Sequence, residues 1–188
     1  MSEDKADRPR VASSLADYLD DELTGLPDVL DVHQAAEQIA ALFAANEGAT
    51  FNLYFGNMLD QPYYAVSIYL DREAKHSVFW SGRNLSLVKL RSLMASSHQL
   101  LRGPRNSVGL WYDEEDGNTY LEITATLPHR DEADREEAVN LGGRYNQIGM
   151  YDLQAREYVP LGGTGALPKD APPVSERLPK LERGREHG

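Results

Sequence analysis

The sequence predicts a single α+β domain with a ferredoxin-like βαββαβ sheet, preceded by an extra N-terminal strand and two N-terminal helices. Three observations lead to this fold class. Two segments with helical apolar spacing come first, the hydrophobic period then changes to two near residue 51, and strand and helix patterns afterwards alternate as strand, helix, strand, strand, helix, strand. The 188 residues, 41% of them hydrophobic and 26% charged, suit one globular domain.

The two N-terminal helices are predicted from caps and apolar stripes. Ser13 or Ser14 can cap a short first helix whose stripe begins at Leu15. A second helix is expected over about residues 31–46, because alanine, isoleucine and phenylalanine recur there at helical spacing. The extra strand over 51–55 follows this helix.

The βαββαβ core occupies the middle of the chain. Turn residues between 51–55 and 63–70 predict that these two strands form a hairpin, and Asp116-Gly117 predicts a second hairpin. A short edge strand is expected over 156–160. The six core elements are strand 63–70, helix 85–101 capped by Asn84, strands 107–113 and 119–127, helix 131–145 capped by Asp131, and strand 147–153.

The stretch NLGGRYNQIGMYDL, residues 140–153, contains two adjacent glycines that could suggest a phosphate-binding loop. Such a loop needs its glycines after a strand and before a helix, and here the order is reversed. Gly142 shares a helical stripe with Ala138 and Tyr145, where a small residue lets a helix approach a sheet closely. We therefore interpret the glycines as structural.

Composition divides the chain into three parts. Residues 1–12 are polar and are expected to be flexible, residues 13–165 form the α+β domain, and residues 166–188 form a Pro-rich charged tail. The tail contains few large apolar side chains, so a flexible or extended conformation is expected for it. Its removal should then leave the domain folded.

The charge distribution limits the classes of partner. The chain carries a net charge of -11, and residues 25–165 hold 11 basic and 19 acidic side chains, a balance of -8. Binding to nucleic acid relies on basic side chains that neutralise phosphates, so nucleic acid is disfavoured as a partner. An acidic surface suits solubility, a cationic partner, or mimicry of a polyanion.

The sequence favours a cytoplasmic protein without a membrane anchor. Cysteine is absent, which excludes disulfides, a thiol nucleophile and thiolate metal ligands. No run approaches the roughly 18 apolar residues of a membrane-spanning helix, and MSEDKADRPR is unlike a signal peptide. If the protein is phage-encoded, the host cytoplasm or the virion is its expected location.

Five aromatic residues are predicted on the sheet face that points away from the crossover helices: Tyr54, Tyr69, Trp111, Tyr120 and Tyr151. RNA-recognition domains of this topology stack bases on such a face. Their basic aromatic signature is missing here, since the corresponding strand reads TYLEITATL with Glu122 at its centre. We therefore favour coverage of this face by the N-terminal helices or by a second subunit.

A second candidate site consists of polar residues at the ends of elements. These are Asn57, Gln61, Arg105, Asn106, Arg144, Asn146 and Gln147. If the ends converge, they would form a neutral-to-basic pocket for a small anion or a peptide terminus. The simpler interpretation is that asparagine and glutamine bond backbone groups at turns.

The sequence predicts no catalytic residues, no metal ligands and no cofactor. The five histidines are isolated from one another, and His33 with Glu37 supplies two ligands without a third. Ser86 and Lys89 match an S-x-x-K pattern, but no K-T-G or S-D-N follows. Walker A, G-x-G-x-x-G and H-E-x-x-H patterns are also absent.

The segments GNMLDQPYYAVSIYLDRE, RNSVGLWYDEEDGNTYLEITATLP and LGGRYNQIGMYDL resemble small domains of unassigned function from bacteria and bacteriophages. The resemblance covers about residues 50–165 and implies an origin in a phage or mobile element, with no activity attached.

Three functions follow as hypotheses. The first is a non-enzymatic protein-interaction module, either a virion component or an acidic inhibitor of a host factor, which binds a protein partner or itself. A small enzyme and a small-ligand-binding regulatory domain are the alternatives.

Overall fold

The computed structural model describes residues 10–20, 24–69 and 79–180. Within them lie five α-helices: α1 (Leu15–Asp20), α2 (Val32–Asn46), α3 (Leu87–Ser96), α4 (His98–Leu101) and α5 (Glu132–Arg144). The eight strands are β1 (Gly48–Asn52), β2 (Gly56–Asn57), β3 (Tyr63–Ser67), β4 (Phe79–Ser81), β5 (Asn106–Asp113), β6 (Asn118–Pro128), β7 (Gly149–Asp152) and β8 (Glu157–Pro160). A 3₁₀ turn follows at Val174–Glu176.

The strands form one antiparallel sheet that curls into a half-barrel. Its order is β2-β1-β5-β6-β3-β7-β8, and β4 pairs with β6 beside this path. The α+β class is confirmed, whereas the ferredoxin-like pattern is not. The sheet extends beyond the four predicted core strands (β5, β6, β3 and β7) at both edges. The first crossover helix is divided into α3 and α4, and α3 packs on α2.

The predicted pairing of the first two strands is wrong. β1 pairs with β2 and β5, while β3 pairs with β6 and β7. The cause is local, because Oδ1 of Asn52 accepts hydrogen bonds from the amides of Tyr54 and Phe55 at 2.9 and 3.2 Å. This turn reverses the chain immediately after β1, so residues 53–55 do not continue the strand.

The hairpin of β5 and β6 lies near the centre of the sheet and confirms the predicted turn at Asp116-Gly117. The two strands pair over eight positions, from Asn106 opposite Ala125 to Asp113 opposite Asn118. Gly117 has a φ of 71°, a left-handed conformation that glycine adopts without steric cost. Pro128 ends β6, as predicted.

Side-chain caps define the ends of the longer helices. Asp31 caps α2 by accepting from the amide of His33 at 2.8 Å, and Asp131 caps α5 by accepting from the amide of Asp134 at 2.9 Å. The predicted helix over 85–101 is interrupted at Ser97, and Ser86 rather than Asn84 caps it. The hydroxyl oxygen of Ser86 accepts from the amide of Lys89 at 3.4 Å.

The main core lies between the sheet and helices α2, α3 and α5. Ile39 and Phe43 of α2, Met94 of α3 and Ala138 of α5 pack on the same face, against strand residues such as Val66. The predicted role of α2 as a cover for the other face is therefore wrong. α1 contributes Leu15 to a smaller cluster on that face, with Met58, Leu59, Tyr63, Ala65 and Leu153.

The paired glycines near the end of α5 are structural. Gly142 is buried against Val66 and Leu161, whereas Gly143 is exposed with open space beside it. The chain then leaves the helix at Tyr145 and enters β7 at Gly149. The helix-to-strand order that excluded a phosphate loop is confirmed.

The segment after residue 165 is better ordered than its composition suggests. Leu167, Ala171 and Leu178 pack against the main core, and Arg177 is buried. Residues 166–180 are therefore held against the domain, by apolar packing and by the hydrogen bond from Arg105 to the carbonyl oxygen of Pro179. Residues 181–188 of the predicted tail lie outside the described residues.

The predicted flexible N-terminus also includes an ordered part. The amide of Ala12 donates to the carbonyl oxygen of Gly25 at 2.9 Å, and the amide of Gly25 donates to that of Arg10 at 2.8 Å. Ala12 is buried as a result. Residues 10–12 are thus attached to the domain, while residues 1–9 lie outside the described residues.

Candidate functional site

Two of the five predicted platform aromatics do not lie on a shared aromatic surface, and a third, Tyr151 of β7, packs against the smaller cluster that contains Leu15. Tyr69 follows the end of β3 and turns into the main core, where its hydroxyl donates to Oδ1 of Asn106 at 2.7 Å. Burial raises the pKa of Tyr69 to about 12. Tyr54 lies in the turn after β1, and its hydroxyl donates to the carbonyl oxygen of Arg102 at 2.9 Å. Both residues were misplaced because the strands were predicted to be longer than they are.

Trp111 and Tyr120 form the part of the predicted platform that the structure brings together. They lie directly opposite each other on β5 and β6, with ring centroids 4.7 Å apart and ring planes at 18°. Both side chains are half-buried. The hydroxyl of Tyr120 hydrogen-bonds to the carboxylate of Asp116, and this bond lowers the pKa of Asp116 below its usual value.

Carboxylates surround the tip of the same hairpin. Glu114, Glu115 and Asp116 are exposed, and Asp113 is half-buried. One basic side chain, that of Arg83, lies among them. It forms ion pairs with Glu47 and Glu114, and its guanidinium carbon lies 4.5 Å from the ring centroid of Tyr112. We define the hairpin end as residues 111–120; it joins a stacked aromatic pair to an acidic tip.

Arg105 and Asn106 lie at the start of β5 and are both buried. The Asn106 side chain is bonded at both its nitrogen and its oxygen, since Nδ2 donates to the carbonyl oxygen of Leu100 at 2.8 Å and Oδ1 accepts from Tyr69. Nη1 of Arg105 donates to the carbonyl oxygen of Pro179 at 2.6 Å, but Nε and Nη2 make no hydrogen bond to a protein group. Burial lowers the pKa of Arg105.

A second buried arginine, Arg177, belongs to this region and was missed by sequence reasoning. Its Nη1 donates to the carbonyl oxygens of Ile68 and Tyr69 at 3.0 and 3.2 Å, and its Nε donates to that of Pro172 at 2.9 Å. The Tyr145 hydroxyl donates to the carbonyl oxygen of Arg177 at 3.3 Å. The sequence carries no signal for this role, because the residue lies in a charged Pro-rich segment.

The polar residues after α5 do not contribute side chains to one pocket. Asn146 has a φ of 53°, and its Nδ2 donates to Oγ1 of Thr164 and the carbonyl oxygen of Ala166 at 2.7 and 2.9 Å. Gln147 is buried, and its Nε2 donates to the carbonyl oxygen of Tyr145 at 3.0 Å. Arg144 is exposed on the helix end. The simpler interpretation, backbone bonding at turns, holds for Asn146 and Gln147.

A histidine–carboxylate pair was also missed by sequence reasoning. Nδ1 of His129 lies 3.4 Å from Oδ1 of Asp152, and the His129 ring lies 4.3 Å from that of Tyr64. The distance permits an ion pair when His129 is protonated, yet Nδ1 makes no hydrogen bond. Asp152 Oδ1 already accepts from the amides of Gln154 and Ala155. Asp152 is therefore engaged in the turn after β7, and His129 lies beside it.

In ranges 10–20, 24–69 and 79–180, no group of three or more histidine, aspartate or glutamate side chains could hold a metal ion. No helix in the same ranges has the length and apolar character needed to cross a membrane.

Comparison with known proteins gives no match. Neither a protein-family model nor a curated protein nor a solved structure matches this chain.

Proposed function

We propose that the protein is a non-enzymatic protein-interaction module that binds a positively charged protein partner through its hairpin end. The observation that carries this proposal is the stacked pair of Trp111 and Tyr120 beside the exposed carboxylates of Glu114, Glu115 and Asp116. Interfaces are enriched in tryptophan and tyrosine, which contribute most when a rim of other groups excludes water around them.

The rigidity of the hairpin supports this role. β5 and β6 pair over eight positions, and β5 is also paired with β1. The tip is fixed by Oδ1 of Asp113, which accepts from the amide of Glu115, and by Oδ1 of Asp116, which accepts from that of Asn118, both at 2.9 Å. A preorganised surface loses little conformational entropy when it binds.

The charge of the tip supports a basic partner. All four residues from 113 to 116 are acidic, and among the described residues the basic side chain that contacts them is that of Arg83. Complementary charges accelerate encounter and select against acidic partners. Of the two forms left open by the sequence, an acidic inhibitor that covers a basic surface of another protein suits this arrangement better than a virion component.

Self-association through the β8 edge of the sheet is less well supported. The amide of Leu161 donates to the carbonyl oxygen of Ile148, which fixes the alternation of bonds between β7 and β8. Tyr158 and Pro160 therefore turn their backbone groups away from β7. Because proline has no N–H, this edge offers few groups for another strand to pair with.

Quantitative pull-down from cells that naturally produce the chain tests the proposal. The full chain is compared with Glu114→Lys/Glu115→Lys and with Trp111→Ala. The matched controls are Glu132→Lys/Glu136→Lys, which reverses two exposed charges on α5, and Val88→Ala, which removes an exposed apolar side chain from α3.

The expected result is a stoichiometric basic partner that both hairpin variants lose and both controls retain. The charge-reversed hairpin variant leaves the core untouched, so loss of binding in that variant is independent of any destabilisation by Trp111→Ala. Capture of no stoichiometric partner would contradict the proposal. Equal capture by wild type and by both hairpin variants would contradict it as well.

A further inference from the structure

One edge of the buried Arg105 guanidinium group, formed by Nε and Nη2, makes no hydrogen bond. Arg105 is 8% exposed, and Nη1 is the nitrogen that binds the Pro179 carbonyl oxygen. The two nitrogens without a hydrogen-bond partner are Nε and Nη2. In a planar guanidinium these N–H groups point in the same direction, at the spacing at which carboxylate or phosphate oxygens bind in a bidentate manner.

The charge around this edge favours an anion. Arg177 is a second buried guanidinium in the same region, because it bonds the backbone of Tyr69 while Tyr69 bonds Asn106, the neighbour of Arg105. Both arginines bind carbonyl oxygens, and neither takes part in an ion pair among the described residues. A buried charge without a counter-charge is costly.

Residues 172–180, which we call the C-terminal strap, cover this region. Arg105 holds the strap at Pro179, Tyr145 holds it at the carbonyl oxygen of Arg177, and the Arg177 side chain anchors it to the end of β3. The opposite side of the strap is exposed from Pro173 to Glu176. A ligand that reaches Arg105 would therefore enter when the strap moves outward.

We propose that Arg105 binds a small oxyanion, a carboxylate or an inorganic phosphate, through Nε and Nη2 in a site that the C-terminal strap closes. Arg177 adds a second positive charge to the site, and the strap excludes water from it. This inference does not depend on the hairpin end, which lies at the opposite end of β5.

The carboxylate of Glu137 is the group of the protein itself that could compete with an anion for Nε and Nη2 of Arg105. It is half-buried on α5, and its charge raises the pKa of Arg105 against the larger effect of burial. A change of side-chain rotamer could bring its carboxylate to Nε and Nη2. Arg105 would then have an internal partner and would need no ligand, so the experiment must separate these two cases.

Nitrogen-15 NMR of the arginine Nε–H groups in the full chain separates them. The Arg105 signal is followed during titration with sodium phosphate or with sodium acetate, at constant ionic strength in a buffer free of both. The exposed Arg144 serves as an internal reference for non-specific effects. The same titrations are made with Glu137→Gln, and the thermal midpoint is recorded for wild type and Arg105→Lys, which keeps the charge but lacks the bidentate edge.

We expect a saturable shift of the Arg105 signal with phosphate or acetate and none at Arg144. The anion should raise the thermal midpoint of the wild type but not that of Arg105→Lys, and the anion that acts identifies the ligand class. Equal, non-saturable shifts at Arg105 and Arg144 would overturn the proposal. The proposal would also be contradicted if the Glu137→Gln substitution moved the Arg105 signal while neither phosphate nor acetate moved it in the wild type or in Glu137→Gln.

Discussion

The side chain of Leu161 lies directly over the α-carbon of Gly142. A β-carbon built on Gly142 would be 2.2 Å from Cδ1 of Leu161 and 3.4 Å from Cγ1 of Val66. Leu161 is held in position because its amide donates to the carbonyl oxygen of Ile148 at 2.8 Å. The absence of a side chain at residue 142 thus allows α5, β3 and the segment after β8 to meet.

Replacement of Gly142 by leucine should therefore destabilise the protein. We expect Gly142→Leu to lower the free energy of unfolding by about 1–3 kcal/mol, because overpacking a filled interior displaces its neighbours. Gly143→Ala is the matched control, since a β-carbon there would contact nothing within 4 Å. Alanine is favoured over glycine within a helix by roughly 1 kcal/mol, so the control should be neutral or mildly stabilised. Urea unfolding measures both, and equal stability of Gly142→Leu and wild type would contradict the packing argument.

The position of Gly142 could be predicted because it depends on local periodicity. Helical spacing alone placed it beside Ala138 and Tyr145, and all three are buried. The position of Trp111 and Tyr120 on one face of a hairpin could be predicted for a similar reason. A short turn at Asp116-Gly117 fixes the register of the two strands that carry the aromatic residues.

Contacts between distant segments could not be predicted in this way. The pairing of β1 with β5 rather than β3 depends on the turn that Asn52 forms, which hydrophobic period does not report. The C-terminal strap is held by hydrogen bonds from Arg177 to backbone carbonyl oxygens more than 100 residues away. Composition described that segment correctly as proline-rich and charged, but it does not record which carbonyl groups need a donor.

The strap should contribute to stability, contrary to the expectation from sequence. Arg177→Met removes the donor to the carbonyl oxygens of Ile68 and Tyr69 while it keeps an unbranched apolar stem. We expect a loss of roughly 1.5–3 kcal/mol, the range for hydrogen bonds that involve a charged group. Lys169→Met, at an exposed position before the strap, should change stability by less than about 0.5 kcal/mol. Identical urea midpoints for the two variants would show that the strap is not a structural element.

The protein should not bind nucleic acid at physiological salt. The net charge of -8 over residues 25–165 repels the phosphates of nucleic acid. Part of this charge lies at the hairpin end, where consecutive carboxylates stand beside the aromatic pair. A gel-shift titration with single-stranded and duplex oligonucleotides measures this. Micromolar binding that weakens steeply with salt would contradict the prediction, because such a slope reports phosphate neutralisation by basic side chains.

Tyr69 should make the protein sensitive to alkali. Burial raises its pKa from 10.0 to about 12 in the folded state. Between these values the unfolded chain has lost the phenolic proton while the folded state retains it, so the free energy of unfolding falls as pH rises from 10 towards 12. The difference corresponds to roughly 2–3 kcal/mol for this one group.

Tyr69→Phe should therefore show a smaller loss of stability over that pH range than the wild type. The variant also loses the hydrogen bond to Asn106, a cost of about 1 kcal/mol that is present at neutral pH as well. The informative quantity is thus the change in urea midpoint between neutral and alkaline pH within each protein. Tyr63, whose pKa burial also raises to about 12, should keep part of the alkaline loss in the variant. An unchanged pH dependence in Tyr69→Phe would mean that the Tyr69 phenol becomes exposed and ionises before the domain unfolds.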